Sequence, residues 1–79
     1  MNEMFKAMAE RMAQKIKMAR IFSKKYTNKR ECPFVSELIG MEQALKTMGI
    51  NYEFEYDFTS TDDYECITSV TVMGNKAVV

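Results

Sequence analysis

Histidine is absent from this sequence. With it go the imidazole base, the Ser-His and Cys-His nucleophile pairs and any His-bearing metal site. Carboxylates, amines, phenols and two thiols remain for chemistry, and the carboxylates make the most ordered pattern. Glu53, Glu55 and Asp57 alternate with apolar residues, so in a strand they project from one side about 6.6–7 Å apart. That spacing is close to the distance between successive phosphates along a nucleic-acid strand. Asp62, Asp63 and Glu65 extend the negative field around the following loop. The six acids together form a candidate partner-binding face, a phosphate mimic suited to a basic channel. The competing reading is the solvent side of a half-buried strand, whose charges discourage edge pairing.

The same acids make poor catalysts or metal ligands. Asp57, Asp62 and Asp63 lack the central Gly and terminal Glu of a calcium loop. A carboxylate acid/base pair would need a pocket that 79 residues do not readily enclose. No catalytic residue, cofactor, metal site or small-molecule substrate is expected. Cys32 and Cys66 stand 34 positions apart without CxxC spacing, and are expected to stay reduced as small hydrophobes. Lys29 and Arg30 could lower the pKa of the Cys32 thiol, yet no base accompanies them.

Basic residues offer the alternative chemistry. Lys6, Lys17, Arg20 and Lys24 share one face of a helical stretch, with Arg11, Lys15 and Lys25 beside them. Such a face could neutralise several backbone phosphates. Against it, the chain has no net charge, its pI is 6.2, and its aromatics occupy core-facing positions. The neutrality conceals a dipole. Residues 1–49 carry ten Lys/Arg against five acids, and residues 50–79 carry six acids against Lys76. Charge asymmetry of this kind bears on partners and association rates.

The elements that must position these groups follow from periodicity. Met1, Met4, Phe5, Met8, Met12, Ile16, Ala19, Phe22 and Tyr26 step by three and four, which predicts a helix over 2–26. A polar connector follows. Asn28 and Glu31 have capping-box spacing, while Pro33 suits a first helical turn. Phe34, Leu38, Met41, Leu45 and Met48 predict a helix over 33–48, closed by Gly49. Gly40 inside it suggests a close approach of the first helix. The period then falls to two. Ile50, Tyr52, Phe54, Tyr56 and Phe58 predict a strand over 50–58. A second strand is expected over 64–73, with Tyr64, Cys66, Val70 and Val72 on one face. Gly74-Asn75 would turn it into a third strand over 76–79. The expected fold class is α+β, a single domain over 1–79 in the order ααβββ. Both helices should pack on one face of a three-stranded antiparallel meander.

Length adds an inference about assembly. A helix over 2–26 is about 37 Å long, whereas a compact chain of this size has a radius of gyration near 12 Å. Its apolar stripe nevertheless continues to both ends. Leaving large apolar side chains in water forfeits about 1.5–3 kcal/mol each, so a second chain should cover them. A homodimer joined through Met4, Phe5, Met8, Met12 and Ile16 is the expected form. No run approaches the length of a transmembrane helix and no secretory leader is evident, so a cytoplasmic location away from membranes is expected. These features predict a non-enzymatic protein-binding module that engages itself and another protein. The biological role that fits is a phage or mobile-element inhibitor of a defence protein, anti-CRISPR-like, using the acidic face. The alternatives are nucleic-acid binding through Lys6, Lys17, Arg20 and Lys24, or a structural subunit that assembles only with its own kind.

Overall fold

The computed structural model describes residues 2–28, 31–57 and 64–79. Met1, Lys29, Arg30, Phe58, Asp62 and Asp63, and with them the expected 59–63 loop, lie outside the described residues. Helices and a three-stranded antiparallel sheet share one core.

Helix α1 (Asn2–Phe22) is rich in Ala and Met and holds no Gly or Pro. Glu3 in its first turn and Arg20 in its last suit the helix dipole. It ends at Phe22 and not at Tyr26, because tertiary contacts tighten the last turn. Ser23–Lys25 forms a 3-10 turn, and Tyr26 is extended at φ −112° and ψ 134°. Ser23 is buried there, with its hydroxyl donating to the Glu65 carboxylate.

Helix α2 (Pro33–Thr47) begins on the proline, whose fixed φ is already helical. Cys32 is its N-cap and supplies no side-chain hydrogen bond, so the Asn28/Glu31 spacing does not cap this helix. Its far end closes as a Schellman turn. Gly49 adopts φ +70°, its N–H donates to the Lys46 carbonyl, and the Ile50 N–H donates to the Leu45 carbonyl. Gly40 does not serve a close approach, since a Cβ built there would meet nothing within 4 Å.

The sheet has the order β1 (Tyr52–Tyr56), β2 (Ile67–Val72), β3 (Asn75–Val78). Tyr52 faces Val72 and Phe54 faces Val70, but Tyr56 faces Ile67, so the register shifts beside Glu55. The shift turns Ile67 inward with Val70 and Val72, all three fully buried. Tyr64 and Cys66 therefore leave the strand and form a 3-10 turn over Tyr64–Cys66. The β2–β3 turn also sits one residue earlier than Gly74-Asn75. Val72 pairs with Asn75, leaving Met73 (φ +48°) and Gly74 (φ +83°) as the two turn residues. Positive φ at both defines a type I′ turn, the one whose twist suits a hairpin. The Asn75 side-chain amide holds it by donating to the Val72 and Met73 carbonyls.

Helix α1 lies on β2 and β3, and α2 packs on α1. Ala9, Met12, Ala13, Ile16 and Ala19 form the inward stripe of α1. The small residues let the sheet approach and rotate this stripe away from Met4, which is 54% exposed. Each large side chain enclosed here, such as Ile16, Leu38 or Val70, stabilises the fold by about 1.5–3 kcal/mol. The radius of gyration is 12.2 Å and the long axis 39 Å.

Candidate functional site

A groove between α1 and α2 gathers methionines from both helices. Its deeper part is a cavity of about 110 Å³ lined by Met8, Met12, Met41, Ala44, Leu45 and Met48. Positions 8 and 12 are one turn apart on α1, and 41 and 48 are two turns apart on α2, so each helix contributes neighbouring thioethers. Beside it lies a shallower cleft of about 520 Å³, where Arg11, Lys15, Glu37 and Gly40 join Met8 and Met41. Lys15 and Glu37 pair across this cleft at 2.6 Å. The Lys15 ammonium also stands 5.5 Å from the centre of the Phe34 ring.

The expected interface stripe divides when placed in this fold. Met12 and Ile16 are fully buried in the chain's own core, Phe5 and Met8 pack against it while partly exposed, and Met4 faces solvent. Met12 and Ile16 are thus unavailable to a partner, because the sheet and α2 already cover them. Periodicity on α1 missed the groove's other wall. Met41 lies on α2 and Met48 caps its end; their helical spacing marks both as core, yet Met48 is 59% exposed.

The six acids do not form one ladder. Glu53 and Glu55 are exposed on β1. Asp57 follows the strand half-buried, its N–H donating to the Cys66 carbonyl. Glu55 meets Lys76 of β3 at 3.0 Å, which holds its carboxyl below the usual carboxylate range. Glu65 departs from the expected face, because the 3-10 turn over Tyr64–Cys66 carries it to the turn after α1, where its carboxylate accepts the Ser23 hydroxyl. Asp62 and Asp63 lie outside the described residues.

The basic face is also reduced. The Arg20 guanidinium is engaged with backbone, donating from Nε to the Glu65 carbonyl at 3.0 Å and from Nη2 to the Ile67 carbonyl at 2.7 Å. It ties α1 to the start of β2. Lys6, Lys17 and Lys24 remain exposed, and Lys17 lines a cleft of about 450 Å³ with Glu10, Gln14 and Lys76.

A polar network that no local sequence pattern announces joins α2 to the sheet. The Glu42 carboxylate accepts hydrogen bonds from the hydroxyls of Tyr52, at 2.9 Å, and Tyr64. Burial, then the Glu42 hydrogen bond and its charge, push the Tyr52 phenol up to about 12 and the Tyr64 phenol upward as well. Phe54 packs against Tyr52, Tyr56 and Tyr64 with ring centres 5.5–6.3 Å apart. Tyr52 and Tyr64 act as fastenings, with acidity moved away from the range useful for proton transfer. Among the described residues, no group of three or more Cys, Asp or Glu could hold a metal ion, and no helix is long and apolar enough to cross a membrane. Comparison with protein-family models, curated proteins and solved structures finds no match.

Proposed function

We propose that this chain is a small, non-enzymatic protein-binding module that pairs with a second copy of itself through the methionine face between α1 and α2. The observation that carries this reading is the exposure of Met48, 59%, on the lining of an apolar groove whose floor is already formed, with Met4, 54% exposed, one helical turn before the groove residue Met8. Thioether side chains adapt to a partner's shape at little conformational cost, which suits a surface that repacks on contact. A standard interface takes about 800 Å² from each partner, about one seventh of the 5394 Å² presented by this chain. Methionines alone do not supply that area. The shallower cleft must join them, and its Arg11, Lys15 and Glu37 carry both signs of charge. A twofold axis through such a surface can set unlike charges against each other.

Concentration-dependent NMR of the methionine ε-methyl groups tests this. On dilution the Met4, Met8 and Met48 signals are expected to shift together, and Met48→Lys is expected to fix the Met4 and Met8 signals at their dilute positions. Signals unmoved by dilution would refute the pairing.

The reading as an inhibitor of a basic partner keeps one favourable observation. Glu53 is exposed on β1, while the Lys76 ammonium offsets part of the charge of its neighbour Glu55. Charge reversal at Glu53, Glu55 and Asp57 is expected to abolish capture of a basic partner, with binding that weakens steeply as salt rises.

A further inference from the structure

We propose that the cavity between α1 and α2 is a binding site for a soft monovalent cation, copper(I) in chemical kind, held by the thioethers of Met8, Met12, Met41 and Met48. Eight methionines occur in 79 residues, and four of them line this one cavity of about 110 Å³. Its remaining lining is Ala44 and Leu45, so sulfur is the only side-chain donor in reach. Thioether sulfur selects copper(I) among biological metals, whereas calcium and magnesium require oxygen ligands and zinc takes thiolate, imidazole or carboxylate.

Several features match this choice. The cavity has room for more than one water-sized volume, and each methionine has three rotatable bonds with which to swing its sulfur inward. Two donors come from each helix, so a bound ion would clamp α1 to α2. Exposure rises from Met12, fully buried, through Met8 and Met41, partly buried, to Met48, 59% exposed. That gradient gives the ion an entrance at the α2 end and a dry interior. The lining residues carry no charge and no oxygen side-chain ligand, so a hard divalent ion finds nothing to bind there. Met8 and Met48 also border the face proposed for pairing, whereas Met12 is fully buried within the chain, so a copper-dependent shift of the Met12 methyl reports the site apart from pairing.

The test is an anaerobic titration of the full chain with copper(I), and in parallel with silver(I), read by methionine ε-methyl and cysteine Cβ NMR signals. One equivalent is expected to shift the methyls of Met8, Met12, Met41 and Met48, with zinc(II) leaving them unmoved. Met8→Leu and Met41→Leu keep the volume and remove the sulfur. Each is expected to weaken binding at least tenfold while circular dichroism shows the fold retained. Leucine variants that bind as tightly as the parent would overturn the proposal. So would shifts confined to Cys32 and Cys66, or no complex at all.

Discussion

The two halves of α1 are held in different ways. Its C-terminal half is fastened by directional contacts, with Arg20 on the carbonyls of Glu65 and Ile67 and the neighbouring Ser23 on the Glu65 carboxylate. Its N-terminal half rests on Met8 and Met12 against Met41, Leu45 and Met48, with a cavity among them and Met4 in solvent. Hydrogen bonds to fixed carbonyls admit one arrangement, whereas thioether contacts admit many of nearly equal energy. The lesson is a division of labour along one helix. The polar end specifies how α1 meets the sheet, and the methionine end keeps a choice of packing arrangements that the polar end lacks.

Substitutions should expose this contrast. Ile16 lies one turn past the middle of α1 and is fully buried, so Ile16→Ala is expected to cost about 2–5 kcal/mol in urea unfolding. Arg20→Ala is expected to cost about 2 kcal/mol, because two backbone carbonyls lose a charged donor. Met4→Ala, on the adaptable half, is expected to stay within about 0.5 kcal/mol when measured at low concentration. Equal losses at Arg20 and Met4 would erase the distinction.

The Glu42 network offers a pH test of the directional side. Tyr52 has its phenol raised from 10.0 to about 12. A folded-state value above the unfolded one contributes stability that is fully present below pH 10 and is lost as pH rises through 12. Thermal melts across that window should show the loss, and ultraviolet phenolate absorbance should show Tyr52 and Tyr64 ionising late. Glu42→Ala is expected to cost about 1.5 kcal/mol or more at neutral pH, and to advance both ionisations. Two substitutions should be gains. Gly40→Ala meets open space and should add about 1 kcal/mol. Met73→Asn should add a similar or smaller amount, about 1 kcal/mol, by placing a residue suited to positive φ in the type I′ turn.

The order of elements was readable because helical and strand periods are local properties of the chain. Gly49 and Pro33 marked the ends of α2 for the same reason, since their backbone preferences act where they stand. What escaped notice depended on distant partners. The shortened end of α1 answers to Glu65, the inward turn of Ile67 answers to a register shift opposite Glu55, and the hairpin turn moved to Met73-Gly74 under the pairing of Val72 with Asn75. At the candidate site, α1 periodicity marked Met8 but grouped it with Met12 and Ile16, which the sheet and α2 enclose. Ala9 and Ala13 carried the missing signal, since small residues at helical spacing mark where a sheet comes close. Glu42 gave no sign of its role, because a carboxylate among polar neighbours looks the same whether or not two phenols converge on it.

Sedimentation equilibrium of the chain over a wide concentration range tests the central claim most directly. The mass is expected to climb from 9.2 kDa toward twice that value as concentration rises, and Met48→Lys is expected to hold it at the lower figure. A mass of 9.2 kDa at every concentration would contradict pairing through the methionine face.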